Sequence, residues 1–133
     1  MKTLTLLSFL SLLCWVAQPS IAAETIDVSI VQLIANPQQF DGKIVRIIGF
    51  ARLEFEGDSI YLHREDYEHG ITKNGLWMDV PNDMRKRDTE FDQKYILIEG
   101  RFNAKFTGHM GMWSGSIEKI SRFEVWDHKP DRK

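Results

Sequence analysis

Past residue 22 the chain has no cysteine; its single one, Cys14, lies in the first apolar run. No disulfide can staple residues 23–133, so one hydrophobic core must hold them, which is feasible at this length and predicts a single domain. The sequence also lacks a basic excess. Seventeen Lys and Arg stand against 19 Asp and Glu, and removal of Lys2 with a leader would move the formal charge from −2 to −3. That counts against nucleic acid or an anionic membrane surface as the main partner, because both need a basic footprint. No apolar run is long enough to cross a bilayer: Leu4 to Ala17 gives about 14 residues where a spanning helix needs roughly 20. Internal repeats, low-complexity tracts, a glycine-rich phosphate loop, a nucleophile-elbow serine, an HExxH pair and an EF-hand pattern are all missing. With them go the commonest routes to catalysis, so the chain reads as a non-enzyme with no cofactor implied.

What is present begins with a leader. Lys2, the apolar run Leu4–Ala17, and small residues at Ser20 and Ala22 form a secretory signal peptide over residues 1–22, cut after Ala22. The expected location is the periplasm or the exterior. Acylation at Cys14 is disfavoured, because Leu13 stands where that processing wants a small residue. A barrel domain is expected over residues 23–127 and a frayed tail over 128–133.

Within the domain, Ser29 and Gln32 have the spacing of a capping box, and Leu33 and Ile34 continue a helical stripe that Asn36-Pro37 ends. From Lys43 the period becomes two. Val45, Ile47, Gly49, Ala51, Leu53 and Phe55 share one face of a long strand, and Glu56-Gly57-Asp58 turns it. Ile60 and Leu62 point inward from a second strand, with Tyr61 and His63 outward; Leu76, Met78 and Val80 do so from a third, with Trp77 and Asp79 outward. Residues 81–93 form a polar connection. Ile96, Ile98, Gly100, Phe102, Ala104 and Phe106 line a second long strand, and Ile117, Ile120, Phe123 and Val125 a last one whose spacing predicts a bulge.

Five strands, the first and fourth long and bent at glycine, are what a partly open Greek-key barrel of the OB type requires: an all-β fold with one short N-terminal helix. The run VQLIANPQQFDGKIVRIIGF and the strand KYILIEGRF resemble the tRNA-anticodon-binding-like OB domains of exported bacterial proteins, a likeness running from Val28 to Trp126. It implies the fold. The acidic charge and the leader depart from a nucleic-acid binder, so the anticodon-binding role is not carried over.

One segment, HREDYEHG at residues 63–70, concentrates two histidines and three carboxylates. His63, Asp66 and His69, with His109 at a distance, could converge on a metal, but their spacing matches no known ligand geometry, and a solvated loop explains them without one. Binding is expected elsewhere. OB barrels present ligands to the face of strands two and three and to the loops between strands one and two and four and five. Here that face carries Tyr61, His63, Trp77 and Asp79, and the loop TGHMGMWSG adds His109, Met110, Met112 and Trp113.

Apolar side chains in such a loop must either pack as a plug on the barrel end or bind something, and both options stand. If exposed, the aromatics suit a saccharide, a peptide or a small amphipathic molecule. The alternative is a structural accessory that docks on an envelope protein. A metal-dependent hydrolase is a third and weaker reading.

Overall fold

The computed structural model describes residues 23–129, so the leader assigned to residues 1–22 and the end of the tail lie outside the described residues. In chain order the elements are β1 (Ile26–Asp27), α1 (Ile30–Ala35), α2 (Pro37–Phe40), β2 (Ile44–Arg52), β3 (Ser59–Tyr61), α3 (Arg64–Glu68), β4 (Gly75–Met78), α4 (Asn82–Arg85), α5 (Asp88–Phe91), β5 (Tyr95–Asn103) and β6 (Ser116–Val125). Strands β2, β3, β4, β6 and β5 pair in that order, and β5 returns to pair with β2 along seven residues, which closes a five-stranded barrel of the OB type. The pairing of β4 with β6 is parallel, Trp77 opposite Ser116. Among the described residues, closure leaves no long free edge. A sixth strand, the two-residue β1, runs parallel to β2 and was not expected; too few residues belong to it for any periodicity to register.

The capping box forms as its spacing predicts: the Gln32 amide donates to Ser29 Oγ at 3.2 Å and the Ser29 amide to Gln32 Oε1 at 3.0 Å. This short helix is held chiefly by packing, since Ile30 and Leu33 are fully buried in the core beside Val45, Ile47, Ile60, Leu76, Ile98 and Phe102. Gly49 admits it. A Cβ on Gly49 would lie 2.7 Å from Ile30 Cδ1 and 2.5 Å from the Tyr61 carbonyl oxygen. The expected bulge is present as a register shift of β6 opposite Glu99 and Arg101, with Lys119 at a φ of +50°.

Three expected core residues are outside. Phe55 is 90 % exposed, Phe106 49 % and Val125 43 %. Strand β2 stops at Arg52 because the Asp58 carboxylate takes the Glu54 amide and Gly57 donates to the Glu54 carbonyl, which throws Phe55 to the tip of a turn. Strand β5 stops at Asn103, whose side-chain oxygen accepts from the amides of Lys105 and Phe106 at 2.9 and 3.1 Å and redirects the chain. Val125 lies at the end of β6, opposite Ile96 and past the last core residue of that strand, Phe123.

Candidate binding site: a groove over Trp77

The segment 63–70 is a helix start rather than a solvated loop. Asp66, buried in the first turn of α3, accepts the His63 amide at 3.0 Å and the Asn74 side-chain amide at 2.8 Å. Its carboxylate is thereby committed to holding α3 on the turn Thr72–Asn74. Among the described residues no three His, Cys, Asp or Glu side chains are grouped to hold a metal. We expect Asp66→Ala to cost about 1–2 kcal/mol, the value of a lost cap with a buried acceptor. Thermal denaturation with and without added Zn²⁺ checks it: the loss should be the same in both.

Helix α3 also explains Tyr61. Instead of facing solvent, its ring is 4 % exposed and packs at 5.8 Å from Tyr67 of α3; Tyr67 in turn lies 6.3 Å from Phe50, which meets Tyr95 at 5.7 Å. Arg52 and Arg64 cover this cluster, stacked over Tyr67 and Phe50. The result is a second small apolar cluster on the outside of the barrel. Tyr61 and its neighbour Phe50 are thus structural, and His63 stands exposed at its edge.

At Trp77 the outward face is open. A groove of about 640 Å³, within the range of about 300–1,000 Å³ usual for small-molecule sites, lies over it between two loops. The β2–β3 turn supplies Glu54, Phe55, Glu56 and Asp58 to one wall; the β5–β6 connection supplies Phe106, Gly108 and His109 to the other; Arg85 of α4 closes one end. His109 Nε2 reaches across to Glu56 Oε2 at 3.7 Å, a contact that is ionic only when the imidazole is protonated. Asp58, 5 % exposed, is bonded by both terminal nitrogens of Arg85, and that hydrogen bonding holds the guanidinium above its ordinary range. The pair is a fixed, internally neutralised part of the wall.

The floor is preorganised. Trp77 stands edge-on to Trp113 with ring centroids 5.1 Å apart, and Trp113 is 4 % exposed. Gly108, at a φ of +72°, lays its backbone against both rings; a Cβ there would sit 2.7 Å from Trp77 and 2.8 Å from Trp113. The loop beyond it is clamped from the turn Thr72–Asn74. Lys73 Nζ donates to the carbonyls of Gly111 and Trp113 at 2.9 and 3.1 Å, Thr72 Oγ1 to Met112 O at 2.9 Å, and Ser114 Oγ to Lys73 O at 2.7 Å. Plug and display therefore divide within one loop: Trp113 packs inward, while Met110 at 85 % and Met112 at 42 % stay in solvent.

Of the residues expected at the site, Trp77 and His109 line the groove and Trp113 supports its floor. Met110, Met112 and Asp79 are exposed outside its lining, Tyr61 is buried, and His63 is the N-cap that precedes α3. Phe55, Phe106, Glu54, Glu56, Asp58 and Arg85 were not anticipated there. The signal available for the first was the pattern Glu-Phe-Glu-Gly-Asp, a large apolar residue framed by charge in a turn. A second groove, beside Ile48, Leu97 and Trp126, holds Arg46 and Arg122, but both donate to Glu99, at 2.7 and 3.1 Å, and hold its carboxyl below its ordinary range, the Arg46 bond most strongly. These guanidiniums are already engaged. No protein-family model, curated protein or solved structure matches the chain.

Proposed function

We propose that the chain is an exported OB-fold binding module whose ligand lies in the groove over Trp77. The observation that carries this reading is the pair of exposed aromatics, Phe55 and Phe106, on opposite walls of a groove floored by a third. A phenylalanine left in water forgoes about 1.5–3 kcal/mol of burial, and two facing one rigid indole are well placed to recover it from a ligand. Export rests on the leader at residues 1–22. Binding rather than catalysis is supported by the state of the carboxylates, since Asp58 is engaged by Arg85 and Glu54 by Arg52 at 2.8 Å. A small molecule, saccharide or short peptide is favoured over nucleic acid, because the groove offers a single arginine, already paired, where a phosphate chain needs several free ones.

Phe55→Ala/Phe106→Ala is the clean test, because neither side chain is buried. Native mass spectrometry of protein recovered from its own compartment should show a small-molecule adduct that the double variant lacks, with melting temperatures within about 2 °C of each other. An adduct retained equally by both proteins, or absent from both, overturns the assignment.

A further inference from the structure

The charge around the groove narrows its ligand. Three carboxylates line it, Glu54, Glu56 and Asp58, against one guanidinium, and no lysine. Asp58 and Arg85 cancel each other inside the wall. Glu54 accepts a hydrogen bond from Arg52, which ends β2, also donates to Asp92 and does not line the groove. Glu56 has no lysine or arginine partner among the described residues; only His109 stands near it. Both glutamates flank Phe55 in sequence, so the rim places an exposed aromatic ring between two carboxylates, Glu54 paired with Arg52 and Glu56 near only His109, opposite Phe106 and above Trp77.

Rings and carboxylates share one preference. The negative faces of Phe and Trp and the anionic oxygens all attract positive charge, and an apolar stem beside that charge is what the rings bury. An anionic ligand would meet uncompensated like charge from Glu56. A neutral sugar could donate hydroxyl hydrogen bonds to it but would leave its charge unbalanced. We infer that the groove takes an organic cation, an ammonium or guanidinium group on a short apolar stem, carried either by a free amine or by a lysine or arginine side chain of a peptide; the inference rests on the groove being the binding site proposed above.

The test is a titration of the purified protein followed by ¹H–¹⁵N correlation spectra, reading the Trp77 indole N–H and the Gly108 amide. The probes are N-acetyl-lysine methylamide, its neutral isostere N-acetyl-norleucine methylamide, and the free amines agmatine, choline and pentylamine. The lysine derivative should shift both resonances saturably and bind at least tenfold more tightly than the norleucine compound. Glu56→Gln should lower its affinity at least fivefold without changing the melting temperature, and adding Glu54→Gln, which also breaks the pair with Arg52, should lower it no less. Affinity should also fall in 0.5 M NaCl.

The two sources separate within the same series. Tighter binding of the lysine derivative than of pentylamine assigns the site to peptide side chains; equal or tighter binding of the free amines assigns it to small amines, and either result supports the inference. Equal affinity for lysine and norleucine compounds, or no effect of the glutamate substitutions, overturns it. If every amine fails while a neutral saccharide or peptide shifts Trp77 in the wild type and not in Phe55→Ala/Phe106→Ala, the cation class is wrong and the binding groove stands. If nothing shifts Trp77 or Gly108, both readings fall.

Discussion

Phe102→Ala should be among the most damaging single changes in this protein, lowering stability by about 3–5 kcal/mol. The ring is fully buried in the one core, near the end of β5, where it lies opposite Ile117 of β6. Removing it costs both the transfer of a large apolar side chain and a cavity that a closed barrel cannot collapse to fill. A second consequence follows from what the ring touches. A Cβ on Gly115 would lie 2.8 Å from Phe102 Cε2, so this side chain supports the point where the β5–β6 loop re-enters the sheet, two residues after Trp113. Urea denaturation should give the stability loss, on the order of 15 °C in melting temperature by calorimetry. Spectra of the surviving native state should show Trp77 and Trp113 displaced, although neither residue touches position 102 directly in sequence. A loss under about 1 kcal/mol would mean that the ring is not the core element described.

Gly49→Ala should cost about 3 kcal/mol, the upper end of what a single added methyl does in a packed interior. The new Cβ would fall 2.5 Å from the Tyr61 carbonyl and 2.7 Å from both Ile30 Cδ1 and Ile60 Cγ1. The Ile30 tip could rotate away, but Ile60 Cγ1 sits next to its own Cβ in β3 and the carbonyl belongs to the same strand, which pairs with β2 through Phe50 and Tyr61 and cannot retreat without opening the barrel. The double change Gly49→Ala/Ile30→Val discriminates. If side-chain crowding dominated, trimming Ile30 would restore most of the loss; we expect recovery of less than half, because the backbone overlap remains. Equilibrium denaturation of the three variants against the wild type reads this directly.

The barrel was legible because its message is periodic. Alternation in Val45, Ile47 and Ala51, and in Ile96, Ile98 and Phe102, marks inward faces, and two mid-strand glycines mark the places where neighbours press closest. Alternation also misled, since it runs on past the point where each strand ends. Phe55 and Phe106 continue the pattern by position, yet a carboxylate at Asp58 and an amide oxygen at Asn103 capture backbone amides and turn the chain two or three residues earlier. Such side-chain bonds to backbone have no hydrophobic period and leave no trace in it. That is why the groove's floor and His109 could be read and its aromatic walls could not.

Tyr61 was hidden for a related reason. The element that buries it, α3, is written almost wholly in charged residues, and only Tyr67 of the five faces the barrel as an aromatic. A capping acid at Asp66 was the one local sign that a helix began there.

The clamp on the β5–β6 loop has an evolutionary corollary. Lys73, Thr72 and Ser114 hold that loop through its main-chain carbonyls and their own, and none of these bonds consults the side chains of Met110 or Met112. Shape and surface chemistry are therefore written by different residues. Substitutions at position 112, and at position 110 by residues that accept its φ of +54°, change what the loop displays beside the groove while its path stays fixed, so the surface there can vary without each trial having to solve the folding problem again.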